Sequence, residues 1–568
     1  MKDLMPSRYG SPPKEEEYTP YVVFRPAAAR SLQRGINTMV NILRPTLGPH
    51  HRIVAMDKVV RGGVPEMLDS GGIIARRILQ LPDRDADMGA MFVRHMVWRQ
   101  HEREGDGTVT LAVLFQSIFN QGVTYLTAGG NAMAFRSALE RAVPVILEEL
   151  ARQARPVEGP EMLTRVAESV CFEPSLAKLL GEIFDIIGEY GRLELREGRG
   201  LESEREYVEG IYWDGGLLSR SMMAPMERTS PMPGSRPTDK TVLRAEAENA
   251  AILLTNLDIQ NAEDLVPVLR MAVEAGHKAL VIVARNMSNA AVSLLMANRR
   301  PDRLWLFAVK SPGPGSDDEA DGLEDLAYLT GGTPILGSFG QSLADVTPAH
   351  FGRARLAWAN HEYFGIVGGG GDPKALRRHI AELRDAFRRV DDQETRKKLC
   401  ARIGKLMGGT ATLWIGGFTP SDIEFKKELA ERASDAVRGA MLEGVVPGGG
   451  VALLACQTVV ERLLKDAVSP DARAAYRILH RALEEPLRVL AHNAGHEPSE
   501  VLAQVRHAPP GYGFEATRGQ VTDMAAAGVY DSVAVLRQAV LTAVTSAGLA
   551  LTTDVLVHKR RPVQELNP

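Results

Sequence analysis

The chain has 568 residues, 45% of them hydrophobic, enough to bury several cores and to divide into three or more domains. Its 67 lysines and arginines stand against 71 acidic residues, a net charge of -4, so no overall basic field draws in nucleic acid or an anionic membrane. Three widely spaced cysteines, Cys171, Cys400 and Cys456, make neither a disulfide framework nor a CxxC metal site and read as small buried hydrophobes.

Residues 1–22 are rich in proline and charge, lack periodicity and contain no apolar core of signal-peptide type, which predicts a flexible arm. No later stretch of about 18 apolar residues is free of charges or breakers, so a soluble cytoplasmic protein is expected. From Ser31 to Leu47, Leu32, Ile36, Met39, Val40, Leu43 and Leu47 recur at helical spacing and run straight into Thr46-Leu47-Gly48-Pro49. Helical runs follow at 88–102, 110–120 and 132–153, and again at 470–494 and 532–549. Between these helix-rich ends, β-favouring runs at 251–255, 279–284 and 304–309 alternate with helices such as 262–275. That arrangement predicts an α/β domain inserted into a helical one. The polar, proline-rich segment from Pro225 to Lys240 reads as an exposed loop. Gly368–Gly371 reads as a hairpin turn, because no βαβ unit with a suitably placed acidic residue surrounds it to make a dinucleotide site. No GxxxxGK[ST] loop occurs either.

Chemistry concentrates in four glycine-rich segments: Thr46-Leu47-Gly48-Pro49, Asp69-Ser70-Gly71-Gly72, Gly105-Asp106-Gly107-Thr108-Val109-Thr110 and Pro447-Gly448-Gly449-Gly450. A glycine turn entering a helix lets backbone N–H groups and the positive helix end approach a phosphate without a side chain in the way. Gly105–Thr110 fits that arrangement. Asp106 is a candidate ligand for Mg²⁺, which favours carboxylate and phosphate oxygens, and Thr108 and Thr110 offer hydroxyls. Taken singly, each segment is also compatible with an ordinary capped turn.

In combination and order these residues resemble a group I (GroEL-type) chaperonin. INTMVNILRPTLGPHHRIVAMDK is similar to that family's first helix and phosphate loop, PEMLDSGGIIARRIL to its aspartate-bearing hairpin, and GDGTVTLAVL to its GDGTTTATVL-like signature. AGGNAMAFRSALERAV, LTGGTPI, EGVVPGGGVALL, ALEEPLRVLAHNAGHEPSEV and SAGLALTTDVLV follow in family order, so the resemblance runs from about Val23 to about Val557. It implies an α/β multidomain chaperonin fold. The mostly helical equatorial, ATP-binding domain would comprise 23–152 and 443–568, the small intermediate hinge 153–208 and 409–442, and the α/β apical, polypeptide-binding domain 209–408.

The resemblance also implies nucleotide contacts at Thr46, Leu47, Gly48 and Pro49, at Asp106, Gly107, Thr108, Val109 and Thr110, at Gly449, and at Asp531 near the ribose. Asp69 corresponds to an aspartate that assists hydrolysis. A second catalytic aspartate is ambiguous: an ungapped reading back from EGVVPGGG puts Arg432 at its position, and a compensated three-residue shift restores Asp435, which is the choice made on sequence. His50 and His51 replace a lysine and a glycine, Leu68 replaces a lysine, and Glu515 stands where asparagine is usual. For client capture the matching apolar positions are Leu217, Leu218, Met222, Met223, Val266, Leu269, Leu295 and Met296.

ATP and Mg²⁺ are the implied cofactors, with K⁺ left open. Unfolded polypeptides are the implied clients of a homo-oligomeric ring, heptameric by resemblance, with a second ring and a co-chaperonin lid left open. The tail HKRRPVQELNP lacks Gly-Gly-Met repeats, which marks a divergent member. The expected function is an ATP-driven folding chamber; the alternative is a chaperonin-derived holdase or scaffold with weak or no hydrolysis.

Overall fold

The structure, a computed structural model, describes residues 20–50, 52–57, 65–157, 159–198, 200–207, 210–227, 241–300, 303–313, 316–390, 392–407 and 410–558. Most of the N-terminal arm, His51, the stretch 228–240 and the tail beyond His558 lie outside the described residues. The chain separates into two compact units, the first comprising Met1–Glu158, Arg165–Glu173 and Arg432–Pro568, the second Gly159–Thr164 and Pro174–Glu431. The second is thus an insertion in the sequence of the first.

In the first unit, helix α1 (Ala27–Leu43) buries a stripe of Ala28, Leu32, Ile36, Met39, Val40 and Leu43. It stops where Pro45 has no N–H to continue the ladder; a 3₁₀ turn, Arg44–Thr46, replaces it, and the Thr46 hydroxyl donates to the Leu43 carbonyl at 2.9 Å. Helices α2 (Gly71–Arg77), α3 (Arg84–Glu104), α4 (Thr108–Thr127) and α5 (Ala132–Gln153) follow. The chain passes between the units within α6 (Gly159–Cys171) and α7 (Pro420–Glu443). The last helix, α8 (Val533–Leu551), is long and apolar enough to cross a bilayer, yet Ala539, Val540, Ala543, Val544 and Ala547 are buried in the core it shares with α4 and α5.

The helical run expected over 470–494 is two helices, Pro470–Ala482 and Glu485–Asn493. The break has a local cause: Pro486 suits the first turn of a new helix, where no N–H partner is required, and not the interior of a continuous one.

Short antiparallel pairs, two between distant segments and two local, occur in this unit. Tyr21–Phe24 pairs with Val555–His558, Val54–Met56 with Glu66–Leu68, Val445–Pro447 with Tyr530–Ser532, and Tyr512–Glu515 with Gln520–Asp523. The second of these is the hairpin that delivers Asp69. The third puts Val446 opposite Asp531, and so sets Gly448–Gly450 beside that carboxyl.

In the second unit the described strands form a sheet in the order Trp305–Lys310, Ala279–Ala284, Thr241–Leu254, Phe351–Ala359, Tyr363–Gly369, Ile211–Asp214, with Ala224–Glu227 paired to Thr241–Leu254. The first three are parallel, the rest antiparallel. Ala279–Ala284 is buried at every residue, which is why it reads as an unbroken apolar run. A smaller sheet joins Arg192–Glu197, Thr410–Ile415 and Glu204–Tyr207. This is the α/β centre expected from the sequence.

Two expectations are corrected here. The loop placed from Pro225 begins later, because Pro225, Met226 and Glu227 belong to a strand. Gly368–Gly371 is not a hairpin turn; it lies at the far end of strand Tyr363–Gly369. A Cβ at Gly371 would sit 2.0 Å from the Tyr328 carbonyl oxygen and one at Gly369 2.2 Å from that of Leu329, so the glycines permit backbone to lie on backbone. All three cysteines are buried and none of them forms a disulfide.

Candidate functional site

The four glycine-rich segments, far apart in sequence, meet around one cavity of about 370 Å³, and every residue that lines it belongs to the first unit. That volume lies within the ordinary range for small-molecule sites. Thr46, Leu47, Gly48 and Pro49 form one wall. Asp69, the whole run Asp106–Thr110, Gly449 and Asp531 complete the set expected on sequence.

Each wall has a local cause. Gly48 has φ +89°, and Asn493 Nδ2 donates to the Arg44 and Leu47 carbonyls at 3.0 and 2.9 Å, so the loop after α1 is pinned from outside. Gly105 (φ +70°) ends α3 and Gly107 (φ +74°) begins α4, both left-handed, leaving Asp106 between them. Gln100, buried on α3, donates through Nε2 to the Asp106 carbonyl at 3.0 Å and to that of Val535 at 3.3 Å. The first amides of α4, at Thr108, Val109 and Thr110, carry no intrahelical bond, and all three residues line the cavity. Gly71 packs against Thr108: a Cβ there would lie 2.9 Å from its Oγ1.

Charge is concentrated at the α4 end. Asp106 and Asp531 both line the cavity and are near enough to repel one another. Burial pushes the Asp106 carboxyl above its ordinary value, opposed by the Gly107 amide and the Arg432 guanidinium. Asp531 is pushed up to about 7, first by burial and then by Asp106, with the Gly450 amide pulling the other way. Among the described residues no cluster of three or more His, Cys, Asp or Glu side chains could enclose a metal. One or two carboxylates beside a place for phosphate suit Mg²⁺, which keeps waters and takes phosphate oxygens rather than a complete protein cage.

On α7 the structure places Arg432, and not Asp435, the choice made on sequence, among the residues that line the cavity. Arg432 lines the cavity, with a guanidinium nitrogen 3.8 Å from Asp69 Oδ2; Asp435 is not among the lining residues. Three residues turn a helix by about 300°. Asp435 instead faces the α3–α4 link, its Cβ 3.1 Å from where a Gly105 Cβ would be, and lies 3.9 Å from Arg438.

Sequence reasoning missed one wall altogether. Arg165, Glu168, Ser169, Val170 and Phe172, from the end of α6, line the cavity, and nothing local to that amphipathic helix distinguishes a cavity-facing polar side from a solvated one. His50 reaches the Ala516 carbonyl with Nε2 at 3.1 Å, and Glu515 lines the same region.

A model of the TCP-1/cpn60 chaperonin family matches residues 39–561. The chain belongs to the TCP-1/cpn60 chaperonin family. Two crystal structures of chaperonin gp146 from bacteriophage EL 2 (Pseudomonas aeruginosa), both in the presence of ATP-BeFx, share the fold of this chaperonin. Crystal form I has a TM-score of 0.69 at 17% identity, over 94% of this chain and 98% of that one. Form II has a TM-score of 0.61 at 17% identity, over 95% and 99%.

The apolar positions expected to hold clients divide in this chaperonin. Met222 and Leu295 are 0% and 1% exposed in the core of the second unit, packed with the sheet, so they offer no surface to a client; these two expectations are corrected. Leu217, Leu218, Met223, Leu269 and Met296 are half-buried, and Val266 is 41% exposed. Val273, 58% exposed and two helical turns beyond Val266 on Leu265–Glu274, extends the same face and was not singled out by sequence.

The raised Asp531 carboxyl gives a pH signature. An aspartate in the unfolded chain titrates near about 3.9. From there to about 7 the folded chaperonin holds a proton that the unfolded chain has released, so this group makes stability fall as pH rises through that window. Asp531→Asn, neutral at every pH, removes the loss. Thermal melts of the nucleotide-free protein should show the variant gaining on wild type between pH 5 and pH 8; an offset equal at both would rule the assignment out.

Proposed function

We propose that this chaperonin is an ATP-binding subunit of a homo-oligomeric ring that captures unfolded polypeptides, with the cavity at the start of α4 as the nucleotide site. The observation that carries the reading is the convergence of all four glycine-rich segments on that one cavity. The α4 amides and the Thr46–Pro49 loop take the phosphates, Asp106 with Asp531 beside it holds Mg²⁺, and Phe514, Ala516 and Met524 enclose the base end. Bound Mg²⁺ supplies charge neutralisation on the phosphate oxygens. Asp69 faces the phosphate end and orients water. The equatorial, hinge and apical division expected from the sequence, a heptameric ring and a cytoplasmic location belong to the same reading.

ATP can move such a subunit between states only if it binds them with different affinity. Client capture is assigned to the exposed and half-buried apolar face around Val266, Leu269 and Met296, since exposed apolar surface is what unfolded clients share. A second reading, a nucleotide-binding holdase with slow or no hydrolysis, is favoured by one observation: a guanidinium, and not a second carboxylate, stands beside Asp69.

Steady-state phosphate release from the purified full chain, with particle mass measured alongside, separates the two. Turnover by a ring-sized particle, abolished in Asp69→Asn, supports the ATP-driven chamber. A ring that binds ATP and releases no phosphate above background supports the holdase, and a monomer without nucleotide affinity refutes both.

A further inference from the structure

The cavity has an unbalanced charge. Five carboxylates line it, those of Asp69, Asp106, Glu168, Glu515 and Asp531, against two guanidiniums, those of Arg165 and Arg432, and no lysine. Arg165 is already committed to Glu168 at 3.0 Å and is largely solvated. Arg432 is different. Its side chain is only 11% exposed, its contact with Asp69 is long at 3.8 Å, and its buried Nε has no hydrogen-bond partner among the described residues. Its charge also acts on the carboxyl of Asp106, which precedes the open amides of α4. A buried guanidinium with an unused Nε donor, held loosely beside one carboxylate at the mouth of a helix N-terminus, is set up for an anion with several acceptor oxygens. A planar fork suits phosphate bidentately.

We propose that Arg432 is a terminal-phosphate ligand that makes this site discriminate nucleoside triphosphates from diphosphates, exchanging its long contact with Asp69 for the last phosphate group. The proposal rests on the nucleotide reading given above and adds a specificity residue to it. The reason is electrostatic: each added phosphate brings negative charge into a cavity already rich in carboxylates, and one buried cation offsets most the group nearest to it. Because the backbone of α7 at Arg432 lies against Gly105, where a Cβ would meet the Arg432 carbonyl oxygen at 2.5 Å, the guanidinium is anchored at that end of the cavity.

The test is calorimetric titration of the full-length protein with Mg²⁺-AMP-PNP and with Mg²⁺-ADP, for wild type, Arg432→Gln and Arg432→Lys, with thermal midpoints measured in parallel. Wild type should prefer the triphosphate analogue. Arg432→Gln should lose about 10- to 100-fold in AMP-PNP affinity, the range for a charge-assisted contact, and less than about threefold for ADP. Arg432→Lys, which keeps charge and loses the fork, should fall between. Unchanged affinities in Arg432→Gln, or equal losses for both nucleotides together with a lowered thermal midpoint, would overturn the proposal and leave Arg432 as a structural partner of Asp69. Wild type that binds neither nucleotide would defeat the nucleotide reading itself, a different failure visible before any variant is made.

Discussion

Asp106→Asn should reduce the affinity for Mg²⁺-ATP by about 100-fold or more and take phosphate release to background, while leaving the nucleotide-free protein at least as stable as wild type. The two halves of this result have one cause. Asp106 lies between two left-handed glycines, and desolvation, with Asp531 nearby, makes its negative charge costly when no cation is bound. A divalent cation turns that cost into a binding contribution worth several kcal/mol, which a neutral amide of the same shape cannot supply. Stability should therefore move opposite to function. Titration with Mg²⁺-ATP beside thermal melts in metal-free buffer checks both. A variant that binds Mg²⁺-ATP like wild type would place the metal elsewhere and remove Asp106 from the site. A variant less stable without nucleotide would show instead that the carboxylate is a structural acceptor.

The parts of this molecule that were legible in sequence are those whose cause is local. The bounds of α5 and of strand Ala279–Ala284 follow from periodicity and an unbroken apolar run, and Gly48, Gly105 and Gly107 were readable because a left-handed backbone selects glycine wherever it occurs. The convergence of the glycine-rich segments on one cavity was legible for another reason: motif order supplied proximity that periodicity cannot. Where proximity had to be judged to within one helical turn, sequence left two candidates. Arg432 and Asp435 are both polar residues on one helix, and only the packing of α7 against Gly105 shows which enters the cavity. Met222 and Leu295 failed similarly, since an apolar residue on an amphipathic segment serves a core or a client equally well until burial is known. The Gly368–Gly371 run was read as a turn because glycine clusters in turns, whereas here it serves close approach between strand and helix end.

Gly35→Ala is expected to be among the most damaging single changes in the chain, costing about 3 kcal/mol or more. On a solvated helix the same substitution would stabilise by about 0.5–1 kcal/mol, because alanine restricts the unfolded backbone more than glycine. Packing reverses the sign. A Cβ at Gly35 on α1 would lie 1.7 Å from the Ala86 carbonyl oxygen and 2.9 Å from the Ala90 nitrogen on α3, and one at Gly89 on α3 would lie 2.2 Å from the Leu32 carbonyl oxygen on α1. All of these are backbone atoms, so no rotamer change relieves the contact and the helices must separate. Gly276→Ala, in the second unit, is the control: its φ is +76° but nothing lies within 4 Å, so only backbone strain of about 1–2 kcal/mol applies. The two changes should also differ in function. Helix α1 leads directly into the Thr46–Pro49 loop and α3 into Gly105-Asp106-Gly107, so their crossing fixes the spacing of two walls of the cavity. Thermal midpoints and Mg²⁺-ATP titrations of both variants should show Gly35→Ala losing stability and affinity together, and Gly276→Ala losing a little stability alone. Wild-type stability in Gly35→Ala would mean that α1 and α3 do not cross at these glycines, and the positions of both loops would have to be redrawn.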